Sequence, residues 1–398
     1  MTKKALIAGT GVAGPTTAYW LARGGWDVTI IERADDLRLG GQNIDVTDAA
    51  RDVIEKMGIM ATVKDRHTGE KGLQFVDTDN AATASFPVEK KGSLTREIEI
   101  LRGELVDVLV EATPESVDYR FGLTIESLDD RGDDVSVTFD DGSQETYDIV
   151  IAADGMNSRT RPMIIGEGDY RDYLGCWSSY FTVPRLERDN DWWRWYTSPT
   201  GVIAFLRPDN QGTMRASVNF LSDESHPPHM TLDDKKAELR RRLDGAGWVA
   251  ERLSEALGAV DDVYLGPLHQ IKAENWSTGR CVLVGDAAYC PTPYTGMGTT
   301  LAIIGSYILA NELCAHDDHR DAFAAYEEKF RDFARTSQKL PPGVPDVAYA
   351  QSKFKVKLIN AGAGIAASSP VQKFASLFDG GSDAEENAFD LPQYGTAT

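Results

Sequence analysis

The sequence predicts an α/β protein in which a parallel sheet with packed helices is joined to a second, antiparallel sheet and followed by a C-terminal helix. Three observations support this fold class. The apolar run Ala5–Ala8 is followed at once by spaced glycines and a helical pattern, as in a strand–turn–helix unit. Two further apolar runs, Tyr147–Ala153 and Cys281–Val284, each lead into a glycine–aspartate pair. The stretch from about 175 to 270 is rich in aromatic residues at alternate positions, which is typical of antiparallel strands.

The first unit has the pattern of a dinucleotide-binding turn. Gly9 permits a tight turn, Gly11 lets the backbone approach a pyrophosphate, and Gly14 lets the next helix pack closely on the strand. A second strand at 27–31 ends at Glu32, whose carboxylate suits ribose hydroxyls. This order predicts a Rossmann-like domain but does not by itself separate FAD from NAD. The predicted contact residues in this unit are Gly9, Gly11, Val12, Ala13, Gly14, Glu32 and Arg33.

The second apolar run brings another candidate segment to the same sheet. A hairpin pattern over 135–150 leads into the run, which ends at Asp154 and Gly155. Ser158 can cap a short helix that follows, and Arg161 adds a positive charge near the strand end. An Asp-Gly pair is also a common turn, so this segment alone favours no function.

The third run leads into a carboxylate and a loop with little side-chain bulk. Asp286, after Gly285, can accept a hydrogen bond from a polyol such as the ribityl chain of FAD. A helix is predicted from about 300 to 313, with its N-terminus at the loop, where it would favour electron density on a reduced ring. The loop residues predicted to contact the cofactor are Pro293, Gly296, Met297 and Gly298.

With these three segments on one chain, the sequence resembles the group A flavoprotein monooxygenases, the family of para-hydroxybenzoate hydroxylase, over most of its length. The segments in this order indicate FAD. The resemblance implies that the first segment holds adenosine diphosphate, that Asp154 and Gly155 serve both FAD and the nicotinamide, and that Asp286 holds the ribityl chain. It also implies that Arg102, at a helix start, contacts the diphosphate or ribityl region and that Arg38 lies near the flavin.

The pattern is most similar to the tetracycline-inactivating and antibiotic-tailoring branch of that family, and it departs from the family at three positions. Tyr289 stands where histidine is frequent, Thr300 where asparagine is common, and a residue around Gly305 where an acidic residue is usual. These changes concern loop packing and contacts to the flavin ring more than phosphate binding.

The resemblance implies an FAD-dependent monooxygenase in which NADPH or NADH reduces the flavin and a flavin hydroperoxide inserts one oxygen atom of O2 into an aromatic or polycyclic, polyketide-like substrate, including the tetracycline type. No catalytic side chain and no metal site is assigned: the histidines His226, His229 and His269 are given no role. The alternatives are a flavin-dependent halogenase or reductase, and a flavin-bearing protein that sequesters a drug. Trp193-Arg194-Trp195 faintly resembles a halogenase motif, but the residues after it do not match.

The same pattern predicts domain boundaries. Segments 1–72, 96–174 and 270–335 form a discontinuous FAD-binding domain of the para-hydroxybenzoate hydroxylase type, and 73–95 with 175–269 form the substrate-binding domain. A C-terminal helical segment spans 336–379, with a helix expected at about 347–359, and a flexible tail spans 380–398.

Composition limits the partners. With 41 basic and 62 acidic residues, the formal charge of -21 disfavours nucleic acid and anionic membrane surfaces. No apolar stretch approaches a membrane span, and the start of the chain lacks a secretory signal pattern, so we expect no stable membrane insertion and a cytoplasmic location. The four cysteines have no metal-ligand spacing and are expected to be free thiols. A monomer or a homodimer is expected.

Overall fold

The secondary structure is taken from a computed structural model, which describes residues 2–37, 40–88, 98–227, 229–340, 344–345, 348–368 and 389–395. The strands, in chain order, are β1 (Lys4–Ala8), β2 (Asp27–Glu32), β3 (Asn43–Asp45), β4 (Gly72–Val76), β5 (Ala82–Pro87), β6 (Glu99–Leu101), β7 (Asp118–Phe121), β8 (Ile125–Asp130), β9 (Val135–Phe139), β10 (Gln144–Tyr147), β11 (Ile149–Ala152), β12 (Arg171–Pro184), β13 (Trp193–Thr197), β14 (Val202–Pro208), β15 (Thr213–Leu221), β16 (Tyr264–Ile271), β17 (Ser277–Thr278) and β18 (Cys281–Leu283). The helices are α1 (Ala13–Arg23), α2 (Asp48–Lys56), α3 (Met60–Asp65), α4 (Arg102–Ala112), α5 (Arg161–Ile165), α6 (Leu232–Leu243), α7 (Ala250–Ala256), α8 (Asp286–Tyr289), α9 (Gly298–Ala315), α10 (His319–Ser337) and α11 (Lys353–Ser368), with a 3₁₀ turn at Pro293–Thr295.

The first sheet has six strands in the order β17-β18-β11-β1-β2-β7. The five strands from β18 to β7 are parallel, which confirms the predicted parallel sheet. Ile7 lies between Ile151 and Ile30 in register, and all three side chains are buried. Because helices cover both faces of such a sheet, its central strands consist of nearly continuous apolar runs. The carboxyl ends of β1, β11 and β18 therefore place the three predicted segments at one edge of the sheet.

The second large sheet has seven strands in the order β16-β12-β15-β14-β13-β4-β5. Strands β12 to β16 pair antiparallel, as predicted, whereas β13 and β4 pair in parallel. One face of this sheet is covered by α6 and α7. Thr231 caps α6 through a capping box with Asp234, so the predicted helix begins where a hydroxyl and a carboxylate satisfy its first amides. The other face is directed toward the loop at Pro293–Thr295.

Helix α9 lies in the hydrophobic core that contains the strands of the six-stranded sheet. It is apolar on nearly every side and packs against α1, α2 and α10. Ser306, within α9, donates a hydrogen bond to the carbonyl of Ala13 at 3.0 Å, which joins α9 to the start of α1. The predicted helix at 300–313 is thus confirmed and extends by a few residues at each end. Among the described residues, no helix is long and apolar enough to cross a membrane.

The chain changes sheets within one run that the sequence pattern presents as a single strand. Tyr147 ends the hairpin strand β10, which pairs with β9, and Ile149 begins the parallel strand β11. Between them, the Asp148 carboxylate accepts a hydrogen bond from the Lys4 amide at 2.6 Å, and the Asp148 amide donates to the Lys4 carbonyl at 2.9 Å. Asp148 is therefore the residue at which the chain leaves its pairing with β9 and begins to pair with β1.

The C-terminal part differs from the predictions at two places, and residues 380–388 and 396–398 of the predicted tail lie outside the described residues. The last described helix begins at Lys353 rather than near 347, because Tyr349 and Ala350 are buried in a non-helical segment before it. Residues 389–395 do not extend freely as the predicted tail would. The ring of Phe389 lies 4.7 Å from that of Phe333, and the Tyr394 hydroxyl donates a hydrogen bond to Glu312. The apolar side chains of this short segment pack against the protein. The acidic, glycine-rich composition of the predicted tail gave no indication of these contacts.

Candidate functional site

In the turn between β1 and α1, Gly9 and Gly14 leave no space for a side chain, whereas Gly11 does. The Gly9 amide donates to the Ile31 carbonyl at 2.8 Å, and Gly9 has a φ of +108° that favours glycine. A Cβ on Gly14 would lie 2.0 Å from the Gly9 carbonyl oxygen, so only glycine lets α1 pack this closely. A Cβ on Gly11 would meet no protein atom within 4 Å. Open backbone at the N-terminus of a helix fits a bound pyrophosphate.

Glu32 lies at the end of β2 beside this turn. Its Oε2 accepts hydrogen bonds from the amide and the hydroxyl of Thr10, at 3.1 and 2.9 Å, and its Oε1 accepts from the Ala34 amide at 3.0 Å. The carboxylate is thereby held at the mouth of the glycine turn. Arg33, the next residue, is exposed. Thr10 was not among the predicted site residues, although a hydroxyl inside the glycine pattern was the available signal. Arg38 lies outside the described residues.

In the second segment, the Asp154 carboxylate organises its own loop. It accepts hydrogen bonds from the Ser158 hydroxyl at 2.5 Å, from the amides of Arg159 and Thr160 at 3.0 and 3.1 Å, and from the Thr160 hydroxyl at 3.0 Å. The Ser158 hydroxyl in turn accepts from the Arg161 amide at 2.8 Å, at the start of α5. Gly155 has a φ of +84°, and a Cβ there would meet no protein atom within 4 Å. The open part of this segment is therefore its glycine backbone.

Arg161 connects the second segment to the third. Its side chain is fully buried, and its Nη1 donates to the Ala287 carbonyl at 2.9 Å. Its Nη2 donates to the Met156 carbonyl at 3.0 Å, and the guanidinium lies 4.4 Å from the centre of the Tyr170 ring. Burial lowers the pKa of this arginine, and the Tyr170 ring supports its charge. Arg161 consequently holds the loop after β11 and the turn after β18 at a fixed separation.

The third segment packs directly on the first. Gly285 has a φ of +66°, and a Cβ there would lie 2.9 Å from the Cβ of Ala13. The Gly285–Asp286 turn thus sits against the start of α1, beside the glycine turn. The structure therefore brings the ends of β1, β11 and β18 together, as expected of a single site.

Asp286 and Arg102 bring opposite charges to this meeting point. Burial raises the pKa of the Asp286 carboxyl to about 6, while the Cys290 thiol and the charge of Arg102 act in the opposite direction. Arg102 begins α4, where its amide donates to the Gln42 carbonyl at 3.0 Å and its Nη2 donates to the Gly40 carbonyl at 3.1 Å. A cation beside a half-buried carboxylate suits a ligand that carries both phosphates and hydroxyls.

The loop before α9 exposes backbone beside these groups. Pro293 begins the 3₁₀ turn, Gly296 follows it with a φ of +65°, and Met297 precedes Gly298, the first residue of α9. At Gly296 and Gly298 a Cβ would meet no protein atom within 4 Å. The buried Thr292 hydroxyl has no hydrogen-bond partner among the described residues. Open backbone and an unpaired hydroxyl at the N-terminus of a long helix suit an electron-rich ring.

The same loop contacts the seven-stranded sheet through Tyr294. The Tyr294 and Tyr349 hydroxyls lie 2.5 Å apart, and the Tyr294 hydroxyl is 3.6 Å from the Cys176 sulfur on β12. Burial raises the pKa of both tyrosines, so both phenols are neutral at pH 7. No contact among these three residues was predicted from the sequence, since they are more than 50 residues apart in the chain.

Three aromatic side chains on this face of the sheet form what we call the aromatic wall: Trp193, Trp195 and Phe205. The Trp195 and Phe205 rings are 4.5 Å apart and the two tryptophan rings 5.7 Å apart. Trp195 and Phe205 pack in the same cluster as Tyr294. All three side chains of the wall are half-buried, whereas Trp177, Phe181 and Phe220 on the opposite face are buried. An incompletely covered aromatic surface that faces the loop is what a substrate cavity requires.

Two of the three positions at which the sequence departs from the family, Tyr289 and Gly305, lie directly opposite each other. The Tyr289 hydroxyl accepts a hydrogen bond from Tyr326 at 3.0 Å, and a Cβ on Gly305 would lie 2.1 Å from the Tyr289 oxygen. The larger tyrosine therefore requires a glycine in α9 opposite it. At the third departure, the Thr300 hydroxyl is 2.8 Å from the Thr47 hydroxyl and joins α9 to the start of α2.

A separate cleft of about 470 Å³ opens between β16 and the end of α10. Ala288 and Tyr289 line it, but none of the predicted cofactor residues does. A second cleft of about 470 Å³ lies beside α6, on the covered face of the seven-stranded sheet. None of the predicted cofactor residues lines this second cleft either.

Comparisons with known proteins agree with this geometry. Residues 2–338 match the family described as FAD binding domain. An uncharacterized protein of Mycobacterium tuberculosis is 37% identical over 354 residues, covering 86% of this chain and 95% of that protein. A flavin-dependent monooxygenase of an unknown prokaryotic organism is 36% identical over 342 residues, covering 85% and 88%. The crystal structure of tetracycline destructase Tet(55) superposes with a TM-score of 0.81 at 31% identity, covering 99% of both chains.

The residues present fit FAD on structural grounds. The glycine turn is open only where a pyrophosphate would approach, and Arg102 and Asp286 supply a cation and a carboxylate beside it. The chain belongs to the FAD binding domain family and is an FAD-dependent group A monooxygenase, similar to the tetracycline destructases of the antibiotic-tailoring branch.

Proposed function

We propose that the protein uses NADH or NADPH and O2 to insert one oxygen atom into an aromatic or polycyclic, polyketide-like small molecule. The observation that carries the substrate class is the aromatic wall, whose half-buried rings face the loop that contains Tyr294. Flat, apolar rings can stack on such a surface, while the few polar groups nearby would fix the orientation of the substrate. The similarity to tetracycline destructases supports the polyketide-like class.

We further propose which groups hold FAD. The turn at Gly9, Gly11 and Gly14 would receive the pyrophosphate, and Glu32 the ribose. Asp286 would accept from the ribityl hydroxyls, with Arg102 near the diphosphate. The loop around Gly296 would offer its backbone amides to the ring. Under this proposal, residues 1–72, 96–174 and 270–335 form the FAD-binding domain, and 73–95 with 175–269 form the substrate-binding domain.

When bound, FAD would accept hydride from the nicotinamide and, once reduced, activate O2 for transfer of one oxygen atom. The chain itself would bind, orient and keep water out. The aromatic wall would exclude water from one side of the cavity, and Tyr294 and Tyr349 would present neutral hydroxyls there. The positive end of α9 would stabilise negative charge that develops on the reduced ring.

The test is product analysis with the purified flavoprotein. NADH and NADPH oxidation is measured against a panel of phenols and polyketides that includes tetracycline, and products formed under ¹⁸O2 are examined by mass spectrometry. One labelled oxygen atom in the product is expected. A chlorinated product, a reduced double bond or an unchanged, tightly bound ligand would instead identify a halogenase, a reductase or a sequestering protein.

A pair of matched variants locates the substrate. Phe205→Leu removes a ring from the aromatic wall, whereas Phe181→Leu removes one from the opposite face, at a position that lines neither cleft. We expect the first to raise the substrate KM about tenfold, which corresponds to about 1.4 kcal/mol, and the second to leave KM nearly unchanged. Equal effects of the two changes on KM would rule out this location of the substrate.

A further inference from the structure

A buried ionic network joins the seven-stranded sheet to the short strands β3 and β6. The guanidinium of Arg207, on β14, donates to both oxygens of Glu70, at 2.9 Å from Nε and 3.0 Å from Nη2. The same Nη2 lies 2.8 Å from Oε2 of Glu99, on β6. The Glu70 side chain is fully buried and that of Glu99 is 4% exposed. One guanidinium therefore contacts two carboxyl groups away from water, and burial, together with the neighbouring Glu99, raises the pKa of Glu70.

The network continues into β3 through Asn43. The Asn43 side-chain amide donates to Glu99 Oε1 at 2.5 Å and to the Pro208 carbonyl, at the end of β14, at 2.9 Å. The Thr68 hydroxyl also donates to Glu99 Oε1, at 2.9 Å. Strands β3, β6 and β14 are consequently joined by charged and polar contacts at one point. We call Asn43, Glu70, Glu99 and Arg207 the Arg207 network.

Both ends of the Arg207 network adjoin the candidate site. On one side, the guanidinium lies 4.1 Å from the centre of the Trp193 ring, which belongs to the aromatic wall. On the other side, Asn43 follows Gln42, whose carbonyl accepts the Arg102 amide, and Glu99 lies on the strand that leads directly into Arg102. The network therefore spans from the proposed substrate surface to the proposed FAD-binding arginine.

We propose that Arg207 is a positioning residue that fixes the aromatic wall relative to the segments that hold FAD, a role that rests on the function proposed above. A planar guanidinium can donate in two directions at once, so a single side chain holds Glu70 and Glu99 together. An ammonium is a point charge on a flexible stem and does not reproduce this fork. Without the fork, Glu70 and Glu99 lose the cation that they share, and β6 is released from β14.

The neighbouring strand provides a matched control. Arg215, on β15, is the cross-strand partner of Arg207 and is about as buried, at 12% against 13% exposure. It bonds to Asp209, Thr182 and Gln211, which lie in the same sheet or its β14–β15 hairpin. Arg215→Lys therefore perturbs a comparable ion pair without loosening β3 and β6 from the sheet.

Hydrogen exchange of the full-length, FAD-free protein tests the proposal without any turnover. In R207K, amides in 40–46 and 98–102 are expected to exchange at least about fivefold faster than in the wild type, since the buried carboxylates lose one partner. In R215K the same amides should exchange within about twofold of the wild type. Fluorescence titration with FAD should show at least about fivefold weaker binding for R207K alone, because the Arg207 network sets the position of Arg102.

A second variant keeps the test decisive if R207K does not fold. Glu99→Gln preserves the shape of the side chain but removes the charge shared with Arg207, and it should increase exchange in the same two segments. Equal exchange in R207K and R215K, or wild-type exchange in both R207K and E99Q, overturns the proposal. Should the wild type itself bind no FAD, the proposed function fails, while the exchange comparison still decides whether Arg207 holds the strands together.

Discussion

Gly11 and Gly14 belong to one turn but have opposite surroundings. A Cβ on Gly14 would meet the Gly9 carbonyl at 2.0 Å, and backbone cannot move aside, so we expect Gly14→Ala to lower the free energy of unfolding by about 2–3 kcal/mol. A Cβ on Gly11 points into open space, so Gly11→Ala should change the stability of the FAD-free protein by less than about 0.5 kcal/mol.

FAD affinity should separate these two variants. Gly11→Ala should raise the FAD dissociation constant at least about tenfold, because its methyl group occupies the space proposed for the pyrophosphate. Urea unfolding of the FAD-free protein and fluorescence titration with FAD provide the two measurements. Wild-type affinity in Gly11→Ala would show that the cofactor does not approach this turn.

Because of Asp286, we expect the stability of the FAD-free protein to fall as the pH rises. The pKa of Asp286 is raised by burial to about 6, above its ordinary value of 3.8, so the FAD-free protein loses stability as the pH rises through that interval. Asp286→Asn has no charge to desolvate. We expect this variant to be more stable than the wild type by about 2 kcal/mol at pH 7–8 and equal to it below about pH 4.

Urea unfolding across this pH range measures the difference. The same variant should bind FAD more weakly, since an amide accepts hydrogen bonds less strongly than a carboxylate. A stability difference that stays constant from pH 4 to pH 8 would exclude Asp286 as the titrating group.

The sequence predicted individual residues correctly where the spacing of glycines along the chain determines the backbone turn. Gly9 and Gly285 lie where a short strand turns sharply, and Gly14 lies where α1 packs on the first of these turns. The pattern of glycines around apolar runs reveals this directly. The Arg207 network was missed because its members come from positions 43, 70, 99 and 207, and no local pattern connects them. Only tertiary contacts show that one arginine serves two carboxylates.

At the level of elements, α8 and α9 are packed through the contact between Tyr289 and Gly305. We expect Gly305→Ala to destabilise the protein by about 2 kcal/mol, since its Cβ would lie 2.1 Å from the Tyr289 oxygen and 2.9 Å from Cε1 of Phe330. Tyr289→Phe removes that oxygen and loses the hydrogen bond from Tyr326, at a cost of about 1 kcal/mol.

The double variant tests the coupling. In the Tyr289→Phe background, Gly305→Ala should cost at least about 1 kcal/mol less than it does in the wild type, as measured by a double-mutant cycle in urea. Strict additivity of the two changes would show that the tyrosine and the glycine do not depend on each other.

Helices and strands were predicted well where the apolar residues follow one clear spacing, as in β14, β15 and α6. The exceptions have tertiary causes. Asp148 bonds to Lys4 and thereby splits one apolar run between two sheets. Phe389 and Tyr394 lie in a segment of tail-like composition, yet they pack against α9 and α10. Neither contact leaves a signal in the local sequence.

At the scale of the whole molecule, two sheets face each other across one loop. The parallel sheet presents three turns at its carboxyl edge, and the mixed sheet presents the aromatic wall. Tyr294 contacts Cys176 and Tyr349 between them. The fold class and the cofactor followed from the order of the segments, whereas the proposed substrate surface became visible only when the strands were in register.

A crystal structure of the protein with FAD bound would decide whether this arrangement holds the cofactor. We expect one FAD per chain, with its pyrophosphate at the turn from Gly9 to Gly14, its ribityl chain at Asp286, and its ring between the loop at Gly296 and the aromatic wall. A ring placed away from both Gly296 and the aromatic wall, or a pyrophosphate bound elsewhere than at the glycine turn, would refute the proposed site.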